Sequence, residues 1–380
     1  MILIAELAVR LSTGPAPVHD MHAAARADCL LLAILGIVFL LLATLAREFA
    51  RIRYPEDEAL RSAPVTENPR FEVVPVEIAA QSFVPAKPRP LLSVDVEDYF
   101  QTEAMSQAGH RKSWEQYPLR VVDNTRRLLD LFDESGAKGT FFTMGWIADK
   151  VPFLIREIAD RGHELACHSY WHRTIYSLSP EEFRSDTRNA ITAIEDAAGV
   201  RVRGYRAPTW SITRQSLWAV QILAEEGFWY DSSIYPIHHD LYGIPQAMPT
   251  PHVWKFGNSE ILEIPPATYA FGEHRLPAAG GGYLRIFPLR FSRMAIDQLT
   301  GNHALPVVYM HPWEIDPGQP RLDAPLKARI RQYWGLSSFE GKLRRLLNAY
   351  EFVPFRDRWV EVSSRAPKVH IEIPEMAVAS

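Results

Sequence analysis

His168 and His172 stand four residues apart in His168-Ser169-Tyr170-Trp171-His172, just downstream of Gly162-His163-Glu164. On a helical turn, side chains at i and i+4 share a face, so both imidazoles can reach one metal ion. A catalytic metal usually takes a third protein ligand and keeps one position open for water. Carboxylates for that role stand in Ser93-Val94-Asp95-Val96-Glu97-Asp98-Tyr99. A histidine pair at this spacing also arises by coincidence on a surface or in a core, so the surrounding chain has to decide.

The elements that would position these residues alternate. Leu91-Leu92-Ser93-Val94 is a short apolar run ending in acids, as a buried parallel strand would. Helical spacing runs from Arg120 to Phe132 and is closed by Gly136. Gly139 to Thr143 is the next strand, and Val151 to Arg161 a second helix followed by Gly162. Leu165 and Ala166 lead into the histidines. Glu181–Ala198 and Gln215–Glu226 are two further helices, with a short strand at Gly204-Tyr205-Arg206 between them. Val307-Val308-Tyr309-Met310 is a late strand ending at His311. This alternation predicts a parallel α/β architecture, in which active sites sit at the carboxyl ends of strands. Asp95, His168, Arg206, Asp231 and His311 all fall at or just after such ends. The fold expected is a distorted (β/α)7 barrel.

The chain has 380 residues, enough for one large catalytic domain with appendages. Its formal net charge of -4 and the lack of a basic patch interleaved with aromatics argue against nucleic acid. Two cysteines, Cys29 and Cys167, exclude a disulfide framework or a cysteine-rich zinc site; Cys167 reads as a small buried filler. Residues 29–46 carry no charge and reach the length of a membrane span, which predicts an N-terminal transmembrane helix after a featureless segment 1–28. Arg47, Arg51 and Arg53 crowd its C-terminal flank, which by the positive-inside rule places the catalytic domain in the cytoplasm. A misplaced start codon is the competing explanation, and the protein would then be simply cytoplasmic. Residues 47–88 read as a linker, because Pro55, Pro64, Pro69, Pro75, Pro85 and Pro88 break any regular element.

Taken in order, VDVEDYF, GHELACHSYWH, YRAPTW, WYDSS and VVYMHPWE resemble the motifs of polysaccharide deacetylases of the carbohydrate esterase 4, or NodB homology, type. The resemblance covers roughly residues 89–325, leaving 326–380 as a C-terminal extension. The subtype resembles deacetylases of exosortase/PEP-CTERM exopolysaccharide loci, and the stretches Gly280–Arg285 and Tyr350–Phe352 are in the same style. It implies a hydrolase that removes N-acetyl groups from an N-acetylhexosamine polymer or its precursor, with a divalent metal, zinc first, as cofactor. It further implies that Asp95 is the base, that His168 and His172 hold the metal, and that His311 protonates the leaving nitrogen. Arg206 would pair with Asp95 and favour its carboxylate, and Asp231 would orient Arg206 or His311.

The chain departs from the family at one point. The usual pattern has adjacent aspartates, base then ligand, whereas Asp95 is followed by Val96, Glu97 and Asp98. If the strand keeps period two, Asp95 and Glu97 share a face and Glu97 is the third ligand. If it breaks at Val96, Asp98 reaches instead, and a turn where the chain leaves the sheet favours Asp98. Trp210, Tyr283 and Trp313 are candidate walls for sugar rings, against the commoner fate of aromatics in the core. His163, His238 and His239 read as structural or surface residues, and Gly280 to Gly282 as a flexible loop. An allantoinase-like amidase and a catalytically dead glycan-binding module are the competing functions; the joint presence of Asp95, His168, His172, Arg206 and His311 speaks against the second.

Overall fold

Strand β2 (Leu91–Val96) is buried along its whole length, as its unbroken apolar start requires. In chain order it follows β1 (Phe71–Val74) and precedes β3 (Thr140–Thr143), β4 (Glu164–Cys167), β5 (Gly204–Tyr205) and β6 (Tyr230–Asp231). Then come β7 (His252–Phe256), β8 (Ser259–Glu263), β9 (Thr268–Phe271), β10 (His274–Pro277), β11 (Val307–Met310) and β12 (Lys368–Ile371). The computed structural model describes residues 71–74, 89–272, 274–301 and 304–371, all within one compact unit, Glu67–Ser380. The expected segments 1–28 and 29–46 and nearly all of 47–88 lie outside the described residues. Among the described residues no helix is long and apolar enough to cross a membrane.

The strands form one sheet in the order β1-β12-β7-β8-β6-β5-β4-β3-β2-β11. Seven of them, β8-β6-β5-β4-β3-β2-β11, pair in parallel with their neighbours. The expected α/β architecture is therefore present. The expected closure into a barrel is not, because no ladder joins β8 to β11 among the described residues. Irregular chain after β8 and after β10 reaches β11: Ala267 N donates to Val307 O at 3.2 Å, Tyr309 N donates to Ala279 O at 3.2 Å, and Gly280 forms an isolated parallel bridge with Tyr309.

Helix α1 (Val121–Ser135) buries Val121, Leu128, Leu129, Leu131 and Phe132 and ends at Gly136, whose left-handed backbone (φ 71°) stops it. The expected helix 151–161 is present as α3 (Pro152–Asp160), with Pro152 in its first turn; a short helix that was not expected, α2 (Gly145–Lys150), precedes it and ends where Pro152 cannot continue it. Helix α4 (Pro180–Ala198) opens with a Ser179–Glu182 capping box and closes at Gly199. Helix α5 (Trp218–Glu225) starts three residues later than its spacing suggested, after a 3-10 turn. Helices α6 (Gly281–Ile286) and α7 (Leu289–Gly301) precede β11. Gly280 to Gly282 thus open a helix, where a flexible loop was expected. A Cβ on Gly280 would stand 2.2 Å from the Tyr309 ring, so the glycine is required by close packing.

The C-terminal residues do not stand apart. After α8 (Leu326–Tyr333) and α9 (Leu336–Leu347), the segment before α10 (Arg356–Arg365) crosses the first residues of β2, β3 and β4. Leu92 N donates to Val353 O, Phe355 N to Thr140 Oγ1 and Arg356 N to Glu164 Oε2. Phe355 is fully buried and stacks on Tyr230. This closes the end of the sheet opposite the one that carries Asp95 and the histidines.

Candidate active site

Glu97, His168 and His172 present ligand atoms within 4.8 Å of one another, and all three are buried. The β2 ladder continues through Asp95 and Val96 without a break, so period two carries Glu97 on to the face of Asp95. Glu97 Oε1 lies 3.2 Å from His168 Nε2 and 3.0 Å from His172 Nε2. Burial opposes its charge, yet His172, His311 and His168 hold its pKa well below the usual carboxylate range.

The histidine segment is a loop, not the helical turn that the spacing suggested. Ser169 (φ 59°) and His172 (φ 51°) take left-handed backbone, an uncommon state for side chains of this size. The turn is held from outside: Asp186 accepts from Tyr170 N at 2.8 Å and Trp171 N at 3.3 Å, and His172 N donates to Ser169 Oγ. His168 Nδ1 lies 2.7 Å from Arg206 O. A carbonyl only accepts, so Nδ1 carries the proton and Nε2 turns a lone pair toward Glu97. Two acceptors facing each other at 3.2 Å need a cation or a proton between them. The donor set, two ring nitrogens and a carboxylate without thiolate, suits a divalent metal.

Asp98, the favoured third ligand from sequence, is not part of this cluster. Its Oδ1 accepts from Tyr99 N at 2.8 Å, and its Oδ2 from Arg120 N at 2.7 Å and Val121 N at 2.9 Å. It caps the start of α1, a charge at a helix N-terminus. Burial raises its pKa to about 6 against those hydrogen bonds.

Arg206 is fully buried. Its Nη1 donates to Asp95 Oδ1 at 2.6 Å and to Ser93 Oγ at 2.8 Å, its Nε to Ser232 O and its Nη2 to Ser232 Oγ. The expected Arg206–Asp95 pair is present. Asp231 makes no hydrogen bond to Arg206 or His311. Its Oδ1 accepts from Ser233 Oγ, while Oδ2 has no partner, and neither has Oε2 of Glu263, its ladder neighbour. Burial raises both carboxyl pKa values, and one proton shared by the two satisfies both orphan oxygens. The hydrogen-bonded link from Asp231 to the residues that hold Arg206 runs through Ser233, next to Ser232.

His311 Nε2 lies 3.9 Å from Asp95 Oδ2 and 3.9 Å from Glu97 Oε1, on the same side of the site. Its Nδ1 faces Glu314 Oε2 at 3.0 Å. Burial opposes a charged ring, but Glu97, Glu314 and Asp95 push its pKa up to about 9.

The aromatic candidates fare differently. Trp210 and Trp313 are each 5% exposed and leave no open ring face for a sugar. Trp210 packs on Tyr235 and Tyr309 and covers the Arg206 guanidinium; Trp313 stacks on His311. Tyr283 is half-buried, its hydroxyl 3.1 Å from that of Tyr242. Trp171, within the histidine loop, is 38% exposed. Sequence reasoning passed over Ser93, Ser232, Asp186 and Glu314. Only Glu314 had a readable signal, an acid three residues after His311 at the start of a helical turn.

The family model for polysaccharide deacetylase matches residues 113–226, which hold His168, His172 and Arg206. The chain carries a polysaccharide deacetylase domain. A second model, a domain of unknown function (DUF3473), matches residues 232–360, with His311 inside it. A peptidoglycan deacetylase-like protein of Gibberella zeae is 31% identical over 125 residues, 32% of this chain and 36% of that protein. A peptidoglycan deacetylase of Helicobacter pylori is 27% identical over 133 residues, 35% of this chain and 41% of that protein. The chain thus spans well under half the length of these curated relatives. A solved structure assigned as a polysaccharide deacetylase of Mycobacterium smegmatis aligns with a TM-score of 0.53 at 20% identity, over 80% of this chain and all of that one. That likeness is one of fold.

Proposed function

We propose that this protein hydrolyses N-acetyl groups on an N-acetylhexosamine-containing polysaccharide, an exopolysaccharide or its precursor, using a divalent metal, zinc first. The observation that carries the reading is the convergence of three units at one sheet end: the Glu97–His168–His172 cluster, the Asp95–Arg206 pair and His311. Relatives named as peptidoglycan and chitooligosaccharide deacetylases support the glycan amide as substrate.

A divalent cation held by Glu97, His168 and His172 would polarise the acetyl carbonyl and lower the pKa of water beside it. Asp95 is bound by Arg206 through Oδ1, so Oδ2 is the atom that takes a proton from the attacking water. The water oxygen adds to the carbonyl carbon. As the C–N bond breaks, its electron pair takes a proton from His311 Nε2, and acetate and a free amine result.

The test is acetate release by the purified full chain from N-acetylglucosamine oligomers, with allantoin as a cyclic amide for comparison. Release from the oligomers, abolished by chelator, is expected. Ring opening of allantoin without oligomer turnover would replace the reading by the non-glycan amidase. We further infer that residues 29–46 anchor the chain in a membrane, on their uncharged length. Fractionation should then find the full-length chain with membranes; recovery entirely in the soluble fraction would remove the anchor.

A further inference from the structure

Glu314 is fully buried and bridges His311 and Arg285. One carboxylate oxygen, Oε2, lies 3.0 Å from His311 Nδ1 and also accepts from His311 N at 3.0 Å. The other, Oε1, accepts from Arg285 Nε at 2.6 Å. Arg285 is itself fixed. Its Nη1 donates to the carbonyls of Gln332 and Trp334, its Nη2 to that of Arg331, and its guanidinium lies over the Trp313 ring. Trp313 in turn stacks on His311. An imidazole is thus held by a carboxylate at one nitrogen, by an indole on one face and by an arginine behind both.

We propose that Glu314, braced by Arg285, is the positioning residue of the acid His311, a role that rests on the deacetylase reading above. A carboxylate at Nδ1 fixes the tautomer: Nδ1–H donates to Glu314, and Nε2 alone faces Asp95 and Glu97. The resemblance implies that Asp231 orients Arg206 or His311; at His311 that place is held by Glu314, while Asp231 accepts from Ser233 Oγ and pairs with Glu263 in the sheet. All three parts, Arg285, His311 and Glu314, lie in the stretch matched by the domain of unknown function. That stretch therefore supplies the acid half of the site, while the matched deacetylase stretch supplies the histidine ligands.

Glu314 also occupies the third position of the 3-10 turn Pro312–Ile315, where it caps the His311 backbone. A capping role alone would affect every reaction of the site equally. Glu314→Gln keeps an acceptor for the backbone amide and loses the charge, so the two roles separate by leaving group. The expected result is a kcat for acetate release from an N-acetylglucosamine oligomer about 10–100-fold lower, with KM and bound metal little changed. Turnover of 4-nitrophenyl acetate, whose leaving group departs without a proton, should fall far less. Equal losses on both substrates, or no loss on either, would overturn the proposal. A measurement that needs no turnover runs beside it: nitrogen NMR of the histidine-labelled wild type should find a hydrogen-bonded proton on His311 Nδ1, besides the one that Nε2 gives up as the acid. A proton held only on Nε2 would overturn the proposal even if the variant failed to fold. A wild type inactive on both substrates, with the Nδ1 proton in place, would instead count against the deacetylase reading alone.

Discussion

Arg206 and Asp95 bury a charge pair with almost no exposure, and Ser93 and Ser232 take three of the guanidinium's other four N–H donors. A buried pair of this kind is a weak source of stability, but loss of one partner leaves the other stranded. Its use is positional: it holds Oδ1 and leaves Oδ2 toward His311. Asp95→Asn is therefore expected to retain the metal, because Asp95 is outside the ligand cluster, and to lose about 10²–10⁴-fold in turnover. Metal analysis alongside acetate release checks both halves; near-normal turnover would move the base to another group. At this scale the histidines, Arg206 and His311 were legible from their types and order. The third member of the cluster was not. Asp98 and Glu97 are one residue apart, and only the unbroken β2 ladder decides between them. Trp210 and Trp313 looked like sugar platforms because a sequence does not reveal which face of a ring is covered.

Among the elements, α1 shows how closely the site and scaffold share residues. No side chain of its own caps it; Asp98, next to Glu97, does so from 22 positions upstream. Asp98→Ala should lower stability by roughly 1–3 kcal/mol, from unsatisfied buried amides, and leave stoichiometric metal binding intact. Denaturant unfolding with metal titration would check this; loss of metal without loss of stability would return Asp98 to the ligand set. Strands β2, β3, β5 and β11 and helices α1, α4 and α5 were legible from their apolar runs and glycine stops. The β7–β8 hairpin was not noticed, although Gly257 and Asn258 stand as a two-residue loop between alternating runs, with Phe256 paired to Ser259. The histidine loop could not be foreseen: Asp186, which holds it, lies 14 residues beyond His172 on another element.

For the whole molecule, buried neutral histidines tie stability to pH. His163 sits between Phe132 and Phe141, its Nδ1 accepting from Gly139 N, and burial lowers its pKa to about 4 from 6.5. Between those values the unfolded chain takes up a proton that the folded one refuses, so this contribution is complete above pH 6.5 and lost as pH falls toward 4. The full loss is about 3 kcal/mol. Asp98, with its raised pKa, works in the opposite direction near pH 6. The informative quantity is thus the stability of the wild type relative to His163→Gln. It should fall by up to that amount between pH 7 and pH 4 in denaturant titrations; a constant offset would contradict it. The central claim, that Glu97 completes a metal site on which glycan deacetylation depends, is tested most directly by Glu97→Ala. The variant should remain folded, bind no stoichiometric divalent metal and release no acetate from N-acetylglucosamine oligomers, while the wild type does both and stops when chelated. Undiminished metal binding and acetate release by Glu97→Ala would contradict the account.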